Sequence, residues 1–241
     1  MISYAMITKP GSRKRNEDSI LMCEKKGCWA FALADGLGGH GRGDTASAAV
    51  TDQAIKVFKR NGAGESYLDD AFRCAQGWLL QKKAALGITE EMKSTMVVLQ
   101  ITKEYARWAH IGDSRLYYFQ GGHLVKRSLD HSVPQMLVFS GQIKEEEIRD
   151  HEDRNKVLRV LGTPWEGPSY EIGEPVALTG DQAFLLCSDG FWELITEKEM
   201  EKTLKQSKSV AQWMNKMEKI VEKNGADREM DNYSAVCVYI S

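Results

Sequence analysis

Hydrophobic positions along the chain fall into two rhythms. Short runs dense in Val, Ile, Phe and Tyr, bounded by Gly, Asp or charged residues, predict strands at 3–8, 19–24, 28–34, 95–102, 105–111, 116–120, 182–187 and 233–240. Apolar residues at helical spacing predict one helical pair at 44–59 and 67–86 and a second at 197–205 and 210–223, the last stopped by Asn224-Gly225. Runs of strands interrupted by paired helices predict an α+β protein built on antiparallel sheets with helices on their faces. Strict strand–helix–strand alternation is missing. The polar stretch 131–155, carrying Gly141 and Glu145-Glu146-Glu147, is the least strand-like part between strands and predicts a mobile helical excursion with its glutamates in solvent. No repeat or low-complexity linker divides the chain, so one domain over 1–241 is expected.

Composition narrows the class. A chain of 241 residues buries roughly 70–75% of its unfolded surface, enough for a core without disulfides or structural metal. Lys and Arg number 32 against 34 Asp and Glu, a net charge of −2, which argues against a nucleic-acid footprint. At 42% apolar and 27% charged, the chain is neither disordered, collagenous nor coiled coil. Its five cysteines (Cys23, Cys28, Cys74, Cys187, Cys237) are scattered, form no C-x-x-C pair and have no Arg six positions on, so they read as reduced core residues. The first residues lack the basic and apolar regions of a signal peptide, and no apolar run approaches the ~18 residues of a membrane span. A cytoplasmic monomer is expected.

Chemistry enters through a repeated pattern, an apolar strand ending in Asp. It occurs at Phe31-Ala-Leu-Ala-Asp35-Gly36, Ala109-His-Ile-Gly-Asp113-Ser114 and Phe184-Leu-Leu-Cys-Ser-Asp189-Gly190, with Asn16-Glu17-Asp18 and Asp231-Asn232 flanking the set. Singly, each Asp-Gly reads as a hairpin turn. Together they would crowd carboxylates at the rim of a sheet, and a shared divalent cation removes that repulsion. With only oxygen ligands on offer the metal should be hard, Mg²⁺ or Mn²⁺ rather than Ca²⁺, for which no EF-hand loop exists. A bridging Asp between two such ions about 3.5–4 Å apart would set up an activated water for attack on phosphorus.

Gly36-Leu-Gly38-Gly39-His40-Gly41 also matches G-x-G-x-x-G between a strand and a helix. Against a dinucleotide site, helix 44–59 leads into a second helix rather than a parallel strand, and Asp35 would face the pyrophosphate unpaired. The near P-loop Gly36-x4-Gly41-Arg42-Gly43 lacks both Lys and Ser/Thr.

These residues resemble the metal-dependent protein phosphatases, the 2C-type serine/threonine family in its short bacterial form. Arg13-Lys-Arg-Asn16-Glu17-Asp18 is similar to its R-x-x-N-E-D opening, Asp35-Gly36-Leu37-Gly38-Gly39-His40 to D-G-x-G-G-H, and Gly112-Asp113-Ser114-Arg115 to G-D-S-R. Asp130-His131-Ser132 resembles the start of a flap that ends near Gly162, and Cys187-Ser-Asp189-Gly190 with Asp231-Asn232-Tyr-Ser234 completes the set. The resemblance implies a β-sandwich of two antiparallel sheets flanked by helix pairs (four layers, αββα) with a dinuclear centre at one end. It implies that Asp35 bridges both ions, Gly36 lends its carbonyl to one, and Asp189 and Asp231 hold the other. Glu17 and Asp18 become ligands or water-mediated acids, Asp113 with Asp189 a third, weaker site, and Asn232 a residue orienting Asp231 or a water. Arg13 is the implied phosphate anchor, its planar fork suited to two phosphate oxygens, and Arg115 supports the Asp113 turn. Leu37 stands where some relatives outside bacteria have a His proposed as general acid; His40 is the substitute donor and substrate-binding candidate. Ser94-Thr95-Met96 departs from the usual Gly-Thr-Thr or Gly-Ser-Thr, a change expected to affect packing.

The expected activity is hydrolysis of phosphoserine and phosphothreonine on proteins with Mn²⁺ or Mg²⁺, on substrates of a cognate serine/threonine kinase and without a phosphoenzyme. The alternatives are a phosphoprotein-binding regulatory domain that has lost turnover and an enzyme for small phosphomonoesters.

Overall fold

Alternate residues of strand β3 (Cys28–Leu37) are claimed by two different cores. Ala30, Ala32 and Ala34 pack under helices, whereas Phe31 and Leu33 point into the space between two sheets. That is the two-residue period of a strand buried on both faces, and it explains why such strands read as unbroken apolar runs. The computed structural model describes residues 1–37, 42–88 and 91–241.

One sheet has the order β1 (Ile2–Lys9), β12 (Tyr233–Ile240), β11 (Gln182–Cys187), β7 (Arg115–Gln120), β8 (His123–Arg127). The other runs β10 (Val176–Ala177), β6 (Tyr105–Ile111), β5 (Met96–Ile101), β3, β2 (Asp18–Lys25), with β4 (Lys93–Ser94) paired to β3 and β9 (Glu171–Ile172) to β6. Every pairing is antiparallel. Helices α1 (Gly43–Asn61) and α2 (Tyr67–Leu86) cover the outer face of the second sheet through Val50, Phe58 and Phe72, where the alanines of β3 permit close approach. Helices α5 (Glu197–Lys205) and α6 (Val210–Gly225) cover the first through Met200, Trp213 and Met217. A third apolar layer of Phe31, Leu99, Leu116, Phe184 and Val236 joins the sheets face to face. The architecture is the expected four-layer sandwich. An antiparallel β3 followed by α1 and α2 also removes the dinucleotide-binding reading of the glycine-rich segment.

The differences from expectation are local. Strand β8 escaped prediction because its side chains are largely solvated, although Gly121 (φ 57°) and Gly122 (φ 78°) form the positive-φ hairpin that signals it. Strand β3 runs through Asp35-Gly36 instead of turning there. Helix α6 runs two residues past the predicted 223 and ends at Gly225, where a Cβ would collide with the Met230 side chain. Residues 131–162 carry helix α3 (Val133–Phe139) and a 3-10 turn (Glu145–Asp150), and backbone pairing closes their root: Ser132 bridges Val157, and Leu158 N–H donates to His131 O at 2.7 Å. Among the described residues no helix is long and apolar enough to cross a membrane.

Candidate active site

Antiparallel register puts the first acids together. Asp18 stands opposite Asp35 across β2 and β3, and the Gly36 N–H donates to the Glu17 carbonyl at 3.0 Å. The Gly36 carbonyl oxygen and Glu17 Oε2 each lie 2.5 Å from the point that a Cβ on Gly43 would occupy, so both converge on one spot beside the start of α1. The opposing sheet supplies the rest. Asp189 opens the short helix α4 (Asp189–Trp192) directly after β11, Asp231 precedes the neighbouring β12, and Asp113 occupies the turn from β6 to β7. Arg13, Glu17, Asp35, Gly36, Asp113, Asp189 and Asp231 all line one cleft of about 710 Å³, with Asn155 and Val157 of the 131–162 segment on its rim. Asp18 lies just behind. His40, the proton-donor candidate, falls outside the described residues.

Backbone and hydroxyl contacts fix the acids in place. The Asp35 N–H donates to Thr95 Oγ1 (2.9 Å), the Thr95 N–H and Ser94 Oγ both donate to Asp35 O (2.9 and 2.8 Å), and Thr95 Oγ1 meets Ser114 Oγ at 2.7 Å. The Ser94-Thr95 variation therefore holds the Asp35 backbone rather than merely packing. Ser188 Oγ donates to Asp18 Oδ2 at 2.8 Å, tying the sheets together, whereas the buried Asp18 Oδ1 meets no donor among the described residues. Asn232 meets Asp231 through its backbone, whose N–H donates to Asp231 Oδ1 at 2.8 Å. Its side chain accepts from Glu17 N–H (2.7 Å) and donates to Pro10 O and Arg15 O (both 2.9 Å), clamping the loop that carries Arg13. Arg115 is wholly buried and forks Asp130 (2.8 and 2.6 Å) while stacking 3.4 Å above Trp192, whose indole N–H donates to Asp113 O.

Charge is poorly compensated inside this ring. Burial and then the neighbouring carboxylates, Asp189 foremost, hold Asp35 well above the usual carboxylate range. Asp189 rises likewise through burial, then Asp113, Glu193 and Asp231. Burial pushes Asp18 to about 6 and Asp113 to about 7, and it raises Glu17 as well. Carboxylates driven toward protonation, one buried oxygen without a donor, and a converging backbone carbonyl make a set of hard donors that fits divalent cations, whose charge inverts the penalty. At the mouth, Arg13 is half-exposed and grips Asp231 with Nε and Nη2, both at 3.1 Å.

Residues 11–233 match the family model described as Protein phosphatase 2C. The chain belongs to the protein phosphatase 2C family. It is 29% identical over 226 residues to the serine/threonine protein phosphatase PstP of Mycobacterium tuberculosis, covering 93% of this chain and 42% of that one, so it spans well under half of that relative's length. It is 33% identical over 202 residues to a putative protein phosphatase 2C-type of Streptococcus pyogenes, covering 78% of each. Among solved structures of the family, the catalytic domain of the serine threonine protein phosphatase PstP in complex with two manganese ions superposes with a TM-score of 0.83 at 26% identity, over 99% of this chain and 98% of that one.

The sequence reading named Thr95 and Ser188 but missed their hydrogen bonds to Asp35 and Asp18, and it missed the loop-clamping work of Asn232. Ser188 had a signal, being the polar residue between the apolar end of β11 and Asp189. The others act across sequence separations that no local pattern reports.

Proposed function

We propose that this chain is one catalytic domain that hydrolyses phosphoserine and phosphothreonine on proteins with Mn²⁺ or Mg²⁺. The observation that carries the reading is the convergence of Asp35, Asp189, Asp231, Asp113 and Glu17 on a single cleft, with an arginine fork at its mouth. Asp35, the Gly36 carbonyl, Glu17, Asp18, Asp189 and Asp231 would hold the ions, and Asp113 with Asp189 would offer a further, weaker site. Bound there, the cations supply an activated water and Lewis-acid charge at phosphorus.

The protein's own residues do the rest. Arg13 takes two phosphate oxygens in the bidentate geometry it now offers Asp231, and stabilises charge as it spreads over the phosphoryl oxygens. Thr95 and Ser94 hold Asp35 still. Asn232 holds the Arg13 loop against Glu17, so anchor and acids keep one spacing. Similarity to the mycobacterial and streptococcal relatives supports the phosphatase reading over the regulatory one, as does the intact acid set, which without cations would only destabilise the fold. Phosphorylated proteins made by a partner serine/threonine kinase are the substrates, and a cytoplasmic monomer is the working form.

The test is release of phosphate from a phosphothreonine peptide and from p-nitrophenyl phosphate with Mn²⁺, with EDTA, and in Asp189→Ala. Turnover is expected only with metal and only in the unmutated chain, faster on the peptide. A folded protein that binds Mn²⁺ without turnover would overturn the catalytic reading.

A further inference from the structure

His110, His131 and Glu171 each place a donor atom within 4.8 Å of the other two, outside the acidic cleft. The two rings stack with centroids 4.9 Å apart and planes 1° from parallel. Such a trio invites a metal, but three of the four ring nitrogens are already committed. His110 Nε2 faces the Leu129 carbonyl at 2.7 Å, and a carbonyl only accepts, so that nitrogen carries a proton. His131 Nδ1 faces the Gly112 amide N–H at 3.2 Å and accepts from it. A neutral His131 therefore carries its proton on Nε2, which points at Glu171 Oε1, 3.2 Å away. A protonated Nε2 has no lone pair for a cation. Burial holds both imidazoles below their ordinary range, His131 at about 4, so the neutral form prevails at neutral pH.

What His131 grips is informative. Its own N–H donates to Gly112 O at 2.9 Å while its ring accepts from Gly112 N–H, a two-point clamp on one residue. Gly112 sits at φ 97°, and a Cβ there would come within 2.6 Å of the Thr95 methyl, so the turn tolerates no drift or substitution. The next residue is Asp113. In the other direction, the His131 carbonyl accepts from Leu158 and the adjacent Ser132 bridges Val157, whose side of the segment reaches the cleft.

We propose that His131 is a positioning residue, its Nδ1 holding the Gly112 amide, and through it the Asp113 turn, against the root of the 131–162 segment, while Glu171 selects the tautomer that leaves Nδ1 able to accept. The inference rests on the reading of Asp113 as a metal ligand, and its test has one readout independent of that reading.

In the metal-free protein, amide exchange followed by NMR at Gly112, with Leu185 of β11 as the measure of global opening, should be slow in the unmutated chain and at least about tenfold faster in His131→Ala. His131→Asn, whose Oδ1 falls where Nδ1 was, should restore slow exchange. His131→Gln, which reaches Glu171 but offers Gly112 no acceptor, should not. In Mn²⁺ titrations of peptide hydrolysis, His131→Ala should raise the half-saturating Mn²⁺ concentration by roughly tenfold or more, with kcat at saturation little changed, and His131→Asn should recover it. If His131→Ala opens globally, the Asn and Gln pair decides. Equal Gly112 exchange in those two variants would overturn the proposal, as would stoichiometric Zn²⁺ binding abolished by His110→Ala. Absence of any hydrolysis by the unmutated chain would sink the phosphatase reading alone, and the exchange rates would still decide the role of His131.

Discussion

The Arg13 guanidinium closes on the Asp231 carboxylate through two parallel hydrogen bonds of 3.1 Å, although each residue has a different task in the proposed reaction. The pairing keeps the fork oriented at the mouth of the cleft, and in the proposed reaction a phosphate taking the fork would release the carboxylate toward the acids behind it. On the proposed reading, Asp231 stands in for the phosphate that Arg13 would bind.

That relationship predicts that Arg13→Ala lowers kcat/KM for a phosphothreonine peptide by roughly 10- to 100-fold, the worth of a charge-assisted bidentate contact. Arg13→Lys should recover only part of this, since an ammonium cannot bind two oxygens in one plane. Steady-state kinetics at saturating Mn²⁺ check both. An Arg13→Lys enzyme at full efficiency would remove the bidentate argument.

Thr95 should matter more than its distance in sequence from Asp35 suggests. Thr95→Val leaves the Asp35 amide without its 2.9 Å acceptor and Ser114 without its partner, at an expected cost of about 1–3 kcal/mol. Thr95→Ser should be near neutral. Urea unfolding of the metal-free chain, set beside kcat with Mn²⁺, should show both effects in Thr95→Val.

The acid cluster sets the sign of the pH dependence. Asp18 and Asp113 have folded pKa values of about 6 and about 7, above the carboxylate values of an unfolded chain, so the folded state binds more protons. Metal-free protein should therefore lose stability as pH rises from about 4 to about 7, the reverse of ordinary carboxylate behaviour. Calorimetry in EDTA should find a lower Tm at pH 8 than at pH 5.5, and Mn²⁺ should raise Tm most at pH 8. A metal-free Tm that climbs over this interval would contradict the electrostatic account.

Arg115 and Asp130 form a wholly buried pair beneath the Asp113 turn, with the guanidinium stacked on Trp192. Asp130→Asn or Arg115→Met should each destabilise by about 3–5 kcal/mol, because each takes from a buried charge its bidentate partner and leaves Arg115 only Glu197 at 3.9 Å, or Asp130 only Arg127 at 3.5 Å. The double variant should cost less than the sum of the two. Denaturant unfolding followed by tryptophan fluorescence measures the cycle.

Much of this site was legible in the chain because its acids sit next to local signals. Asp35, Asp113 and Asp189 each follow an apolar run, and Glu17-Asp18 and Asp231-Asn232 open strands. Their supports were not legible. Glu17 and Asn232 are 215 residues apart and Asp18 and Ser188 are 170 apart, yet each pair shares a hydrogen bond. Nothing in a stretch of sequence encodes which hydroxyl or amide will lie opposite it once two sheets close.

The apolar runs and helical periods by themselves determined most of the longer strands, the two helix pairs and their antiparallel arrangement with helices on the sheet faces, since burying an apolar stripe is a local requirement with few solutions. Placing Asp18 across from Asp35, giving the Asn232 side chain the further work of clamping the Arg13 loop, pairing Arg13 with Asp231 and seating His131 on Gly112 were decided only by the tertiary structure. Those contacts depend on strand register and on how the sheets face one another, and a displacement of one residue in either would break every one of them.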